Sequence, residues 1–186
     1  VAPAGRIGVH LGAGTIGAWA FDSASVRLAA ADSVITVDTM RARWRGGHLD
    51  GSGTIGWAAP HTGALALEAD IGDLSAFDLV ARELTGLGAD SALGGGAMQG
   101  RGRAELHLSG ALGALTVAGT AAVDTVQWLQ YRAENLRGRL TYQTGDSTMD
   151  TAVSADSLGV GTLRFHGLQA AAAGHRAPGN ARTLHD

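Results

Sequence analysis

The chain has 186 residues, a net charge of −3, 17% charged and 45% hydrophobic residues, and no cysteine. That balance excludes a strongly basic nucleic-acid binder, an acidic tail, a disulfide framework and a thiolate metal site, and it is too apolar for a disordered segment. No apolar run reaches the roughly 18–20 residues of a membrane-spanning helix, and the opening VAPAG has no signal-peptide pattern, so we expect a piece of a longer protein whose export signal or anchor lies elsewhere.

Alternation of period two, which sends successive side chains to opposite faces of a sheet, runs through most of the chain. Arg6 to Leu11 alternates, with Ile7, Val9 and Leu11 on one side. Gly12 to Gly17 interrupts the pattern, Ala18 to Phe21 resumes it, and Ser25 to Ala30 carries Val26 and Leu28. Val34 to Asp38 opens a strand pair with Thr39 to Arg45, where Met40, Ala42 and Trp44 face one way and Arg41, Arg43 and Arg45 the other. An arginine row of this kind reads as a solvated face that also discourages edge pairing. Gly46-Gly47 turns the chain, and Leu49 to Trp57 returns it with Ile55 and Trp57. Beyond a turn at Pro60 to Gly63, Leu65, Leu67, Ala69 and Ile71 alternate with Ala66, Glu68 and Asp70.

The rhythm then changes. Leu74, Phe77, Val80, Leu84 and Leu87 recur at helical spacing, with Asp73 or Ser75 able to cap the start and Gly86 or Gly88 the end. This predicts one short amphipathic helix over 73–88. Residues 89–101, with Gly94-Gly95-Gly96, read as a loop. The clearest stretch follows: Ala104, Leu106 and Leu108 alternate up to a break at Ser109 to Gly113, and Leu115, Val117, Gly119, Ala121 and Val123 alternate after it. Further strands carry Trp128 (Val126 to Leu129), Leu140 and Tyr142 (Arg139 to Thr144), Val153 (Met149 to Ala155), and Leu163 with Phe165 (Gly161 to His166). Residues 174–186 are polar and patternless, as a frayed end would be.

The expected organisation is a repetitive strand segment over 1–72, the helix, the loop, a second strand segment over 102–173, and the end. The expected fold is all-β: an elongated, curved, antiparallel-rich sheet of about a dozen short strands with one short helix. A weak repeat supports it, since GTIG occurs at 14–17 and again at 53–56, 39 residues on.

Chemistry-bearing motifs are scarce. G-x-G-x-x-G occurs at Gly12, Gly14 and Gly17, with Asp38 about twenty residues on, and again at Gly51, Gly53 and Gly56. A dinucleotide site needs a helix after the last glycine, but AWAFDSASV follows the first copy, and Trp57 and Pro60 follow the second. Glycines that permit bulges or close backbone packing explain the motif better, and no dinucleotide is expected. The histidines at 10, 48, 61, 107, 166, 175 and 185 show no metal-ligand spacing, and no serine sits in a nucleophile elbow. The tryptophans lack the basic interleaving of a nucleic-acid platform; they fill a core or line an apolar groove. The sequence therefore points to a protein that is not an enzyme, with no metal and no cofactor.

The run GDLSAFDLVARELTGLGAD followed by GRAELHLSGALGALTVAGTAAVDTVQW resembles the TamB family of bacterial envelope proteins, in which a short helix ending near Gly precedes a strand of the form x-L-x-L-x-G-T-L. Leu106, Leu108, Gly110, Leu112, Leu115 and Gly119 stand in those places, Ala111 replaces the usual Thr, and the family's frequent proline is missing between Gly113 and Leu115. The upstream FDSASVRLAAADSVITVDTMRARWRGGHLDGSGTIGW is similar to the strand-rich body of TamB and the broader AsmA-like group. The resemblance implies a curved sheet with a hydrophobic trough, in a periplasmic protein anchored in the inner membrane that reaches an outer-membrane barrel of the TamA type. It implies carriage of phospholipid between the membranes, and a role in outer-membrane protein assembly.

The residues suggest the same kind of surface without the family. A one-sided sheet with a single helix leaves apolar area uncovered, and such an area marks a binding surface suited to acyl chains. The expected groove lining is the set of apolar residues named above on the greasy face, from Ile7 to Phe165. The competing reading is a structural or adhesive β-solenoid or sandwich module that closes on itself and binds no ligand.

Overall fold

The structure, a computed structural model, describes residues 4–17, 19–78 and 97–175. Its strands are β1 (Gly5–Leu11), β2 (Gly14–Ile16), β3 (Trp19–Phe21), β4 (Ser23–Ala31), β5 (Val34–Trp44), β6 (Gly47–Gly56), β7 (Gly63–Ile71), β8 (Gln99–Ala111), β9 (Ala114–Trp128), β10 (Tyr131–Gln143), β11 (Thr148–Val160) and β12 (Leu163–His175). Ten of them form one open antiparallel sheet in the order β1-β4-β5-β6-β7-β8-β9-β10-β11-β12, while β2 and β3 pair only with each other. The chain is all-β, as its alternation predicts. Nine inter-strand spacings of ~4.8 Å make the sheet ~43 Å across.

Two-residue turns set this order. Asp32 and Ser33 both take positive φ (48° and 62°) between β4 and β5, the conformation whose twist matches an antiparallel hairpin. Leu129 (φ 57°) and Gly161 (φ 59°) turn the chain between β9 and β10 and between β11 and β12. Each turn fixes a register, and the register fixes which residues share a face.

Several boundaries differ from expectation. Val34 to Trp44 is one strand rather than a pair, with a bulge between Val37 and Met40. Val126 to Trp128 belongs to β9. The strands from β8 onward run 13 to 15 residues instead of being short, because Ala, Gly and Asn positions continue the pairing after the apolar alternation fades. The loop expected up to Arg101 stops sooner, since Gln99 already pairs with Gln127, and Gly174 and His175 complete β12 rather than fray. Of the expected helix, Leu74–Phe77 forms a 3-10 turn capped by Asp73, whose carboxylate accepts from the Ser75 N–H at 2.9 Å. That bond, with a second from the Ser75 hydroxyl, holds the Asp73 pKa below its usual 3.8. The rest of the expected helix, most of the expected loop and residues 176–186 lie outside the described residues.

Directly paired residues lie on one face, so the pairings trace rows across the sheet. One row runs Val9, Val26, Met40, Gly51, Leu67, Leu106, Gly119, Leu140, Thr151, Ala172 from edge to edge. The next runs Ile7, Leu28, Val37, Gly53, Leu65, Leu108, Val117, Tyr142, Met149. The bulge at Asp38–Thr39 keeps both rows apolar: strict alternation back from Met40 would bring Asp38 to this face and send Val37 to the other. On the opposite face the corresponding row reads Arg41, Asp50, Glu68, Glu105, Thr120, Arg139. One face is apolar and the other is charged from β5 to β10, its row passing to Ala152 and Ala171 on β11 and β12.

Candidate functional site

The site is the apolar face, and its shape follows from which side chains are small. Val37 and Leu65 are only 3% and 4% exposed, flanking the bare backbone of Gly53 in their row. A Cβ on Gly51 would collide with Leu67 Cδ2, and one on Gly119 would stand 3.1 Å from Leu106 Cδ2, so large side chains lean over glycines on the same face. Past the end of β7, β6 and β8 meet directly at Gly56 and Ala111, and the Leu112 N–H donates to the Gly56 carbonyl. β6 and β8 therefore close around the end of β7, and the apolar face is most buried there. Exposure rises away from that floor: Ile7 is 62% exposed at one edge and Val153 is 47% exposed near the other. The result is a curved apolar trough crossing the strands, open toward both ends.

Two small elements cover part of it. The β2–β3 hairpin, inserted between β1 and β4, folds over the apolar face, where Phe21 and Trp44 are buried with Ala69. Trp19, Phe77, Ala24, Leu49, Ile71 and Ala104 pack around them. Ring contacts link Trp19 to Trp44 at 5.5 Å and Trp44 to Phe77 at 5.7 Å, both edge-on. The buried Nε1–H groups of Trp19 and Trp44 find no acceptor among the described residues. Beyond the 3-10 turn, Asp78 Oδ1 accepts from Trp128 Nε1 at 2.8 Å and from the Met98 N–H at 3.1 Å, tying both ends of the 79–96 segment to β9.

The registers place the expected lining residues plainly. Ile7, Val9, Leu11, Val26, Leu28, Met40, Ile55, Leu65, Leu67, Leu106, Leu108, Leu115, Val117, Val123, Leu140, Tyr142 and Val153 all belong to rows of this face. Trp44 and Ile71 belong to it too, but they lie under the aromatic cover. One expectation needs correction. Trp57 sits past the end of β6, in a half-exposed bend. Leu163 and Phe165 pair with Val160 and Leu158, and the row of Phe165 and Leu158 continues through Ala133 and Val126 to Gly100, beneath Leu74 on the apolar face. Leu168 and Ala170 pair with Ala155 and Val153 on the same face, and the irregularities at Arg101/Gly102, Asn135 (φ 50°) and Gly167 (φ 66°) shift the parity of these strands together. Sequence reasoning also missed Val37 and Leu49, and Leu136, which pairs with Val123. The VITV run signals Val37; Leu136 sits among polar neighbours that give no signal.

In the glycine motifs Gly14, Gly51, Gly53 and Gly56 are closely packed, while Gly12 and Gly17 have open space. Gly14 lies under the Phe21 ring, with a would-be Cβ 3.0 Å from it, and Gly51 to Gly56 run inside β6. The two GTIG copies are not equivalent, because one is in the hairpin and the other in the main sheet.

On the charged face a shallow depression of about 390 Å³ is lined by Asp38, Arg41, Asp50, Glu68, Glu105 and His107, among others. Asp50, Glu68 and Glu105 oppose one another across strands, and Arg41 Nε relieves one end at 3.1 Å from Asp50 Oδ1. Among the described residues no three His, Asp or Glu side chains come close enough to hold a metal ion.

No family model, curated protein or solved structure matches the chain.

Proposed function

We propose that this chain is a lipid-conducting segment of a TamB- or AsmA-like envelope protein, with the apolar trough as the path for phospholipid acyl chains. The observation that carries the reading is the row from Val9 to Ala172, in which Thr151 is the one polar side chain, open at both ends. A surface of that size marks a binding surface in a water-exposed protein, and it takes hydrocarbon at ~0.8 kcal/mol per buried CH₂ with no polar group needed for recognition. The headgroup stays outside in water, so a path of this kind accepts many phospholipids. In this reading the protein works in the periplasm between the inner membrane and an outer-membrane barrel of the TamA type. Lipid supply to the outer membrane then accompanies a role in protein assembly there.

Photo-reactive residues at Leu67, Leu106, Val117 and Tyr142 should capture phospholipid when the protein is made in a bacterial envelope, and those at Glu68 and Glu105 should not. Capture confined to the charged face would sink the reading. The structural-module alternative draws on one observation, the aromatic cover over Trp44, where the apolar face does close on itself. Empty, stable protein with no captured lipid would favour it.

A further inference from the structure

The aromatic cover occupies the trough at one place only. Row by row, Ala24, Leu49, Ala69 and Ala104 lie beneath it, while Ala121 and Val153, farther along the same row on β9 and β11, are exposed. Leu11, at the other end of that row on β1, is exposed as well. The hairpin therefore plugs the path between β4 and β8 and leaves both flanks open.

Its attachment is slight. β2 and β3 form a separate two-stranded sheet, so no ladder joins them to the ten-stranded one. Next to β3, the Asp22 N–H donates to the Arg43 carbonyl at 2.8 Å, which pins one hinge. At the other hinge Gly12 has open space where a Cβ would be. Between the hinges the hairpin is held by its rings, with Trp19 edge-on to Trp44, which in turn meets Phe77, and Ile16 at its tip is exposed. Closing it buries two indole N–H groups that find no acceptor among the described residues, an arrangement that works against the closed state. Hydrocarbon and hairpin compete for the same seat.

We propose that the β2–β3 hairpin is a displaceable plug: it closes the trough on Trp44, and an acyl chain advancing along the trough lifts it. The inference rests on the lipid reading of the trough, and a ligand binding only the lifted state shifts the population toward it.

The test uses the unmodified chain and two variants, incubated with vesicles of phosphatidylethanolamine and phosphatidylglycerol that contain a phospholipid with a diazirine in its acyl chain. After irradiation, adducts are mapped by mass spectrometry. The readout is the ratio of adducts beneath the plug (Ala69, Ile71, Ala104) to adducts in the open trough (Val117, Leu140). Trp19→Ala with Phe21→Ala removes the plug and should raise that ratio about tenfold. Trp19→Phe keeps a ring while deleting one buried N–H that has no acceptor among the described residues, holds the plug down more firmly, and should lower the ratio severalfold. If the double variant does not fold, as judged by its strand signal in circular dichroism, Trp19→Phe alone carries the test. Adducts in the open trough with a ratio that neither variant changes would overturn the plug while leaving the trough intact. An absence of adducts at Val117 and Leu140 in every protein would overturn the trough reading, and the plug with it.

Discussion

Leu65 and Leu106 are cross-strand neighbours on the same face, in adjacent rows, yet truncating them should have very different effects. Leu65 is 4% exposed and borders Gly53, a strand glycine at φ 139° whose backbone cannot move in to fill a gap. Leu65→Ala removes buried methyl groups and leaves a cavity, which costs ~3 kcal/mol, within the range for buried leucines. Leu106 is half-buried, and only Gly119 lies across from it on β9. Leu106→Ala forfeits roughly half the transfer term and leaves no enclosed void, so ~1 kcal/mol is expected. With a urea m-value of ~2 kcal/mol/M for a chain of this size, the midpoints should fall by ~1.5 M and ~0.5 M. Urea unfolding followed by circular dichroism in the strand band measures both. Equal losses would refute the reasoning, because they would mean that Leu106 is covered by a second layer and the trough is closed there.

Other outcomes follow from local geometry. Gly51→Ala should destabilise by ~1–3 kcal/mol, since its Cβ would collide with Leu67. Gly138→Ala, with nothing within 4 Å of the added carbon, should be neutral or stabilise by up to ~1 kcal/mol, with both effects read from urea midpoints. Asn135 sits mid-strand at φ 50° and donates to Asp156 Oδ2 at 2.7 Å, so Asn135→Ala should cost ~1–2 kcal/mol and Asn135→Gly noticeably less, as thermal unfolding will show. The Asp73 pKa is lowered in the folded state, so its contribution is complete above the unfolded value near 3.8 and is lost as pH falls through the folded one. Acid titration should therefore show an aromatic-cluster fluorescence change below pH ~4 that Asp73→Asn alters, with no effect of that variant near neutrality on the pH dependence.

Much of this fold is legible in the sequence because a one-sided sheet writes its faces as period two. Met40, Ala42 and Trp44 against Arg41 and Arg43 is as plain in the residues as in the register. Where a single residue changes parity, the reading fails. The bulge at Asp38–Thr39 returns Val37 to the apolar face, and the irregularity between Arg101 and Gly102 returns Val126 to it; neither shift is encoded in hydrophobicity. Strand lengths were hidden for a related reason, since Ala170 to Ala173 pair fully with β11 without any apolar contrast. The aromatic cover was the least legible feature. Trp19 and Phe21 advertise burial, but nothing local says that their hairpin leaves the main sheet and folds back over it.

The central claim is that hydrocarbon occupies the open apolar face, and the direct measurement is mass spectrometry of the protein purified in mild detergent from a bacterial envelope. The account predicts co-purifying phospholipid in near-stoichiometric amount, lost when Leu106→Asp and Val117→Asp place charges in the trough while the strand signal persists. A folded, monomeric protein that carries no lipid, and is unchanged by those substitutions, would contradict it.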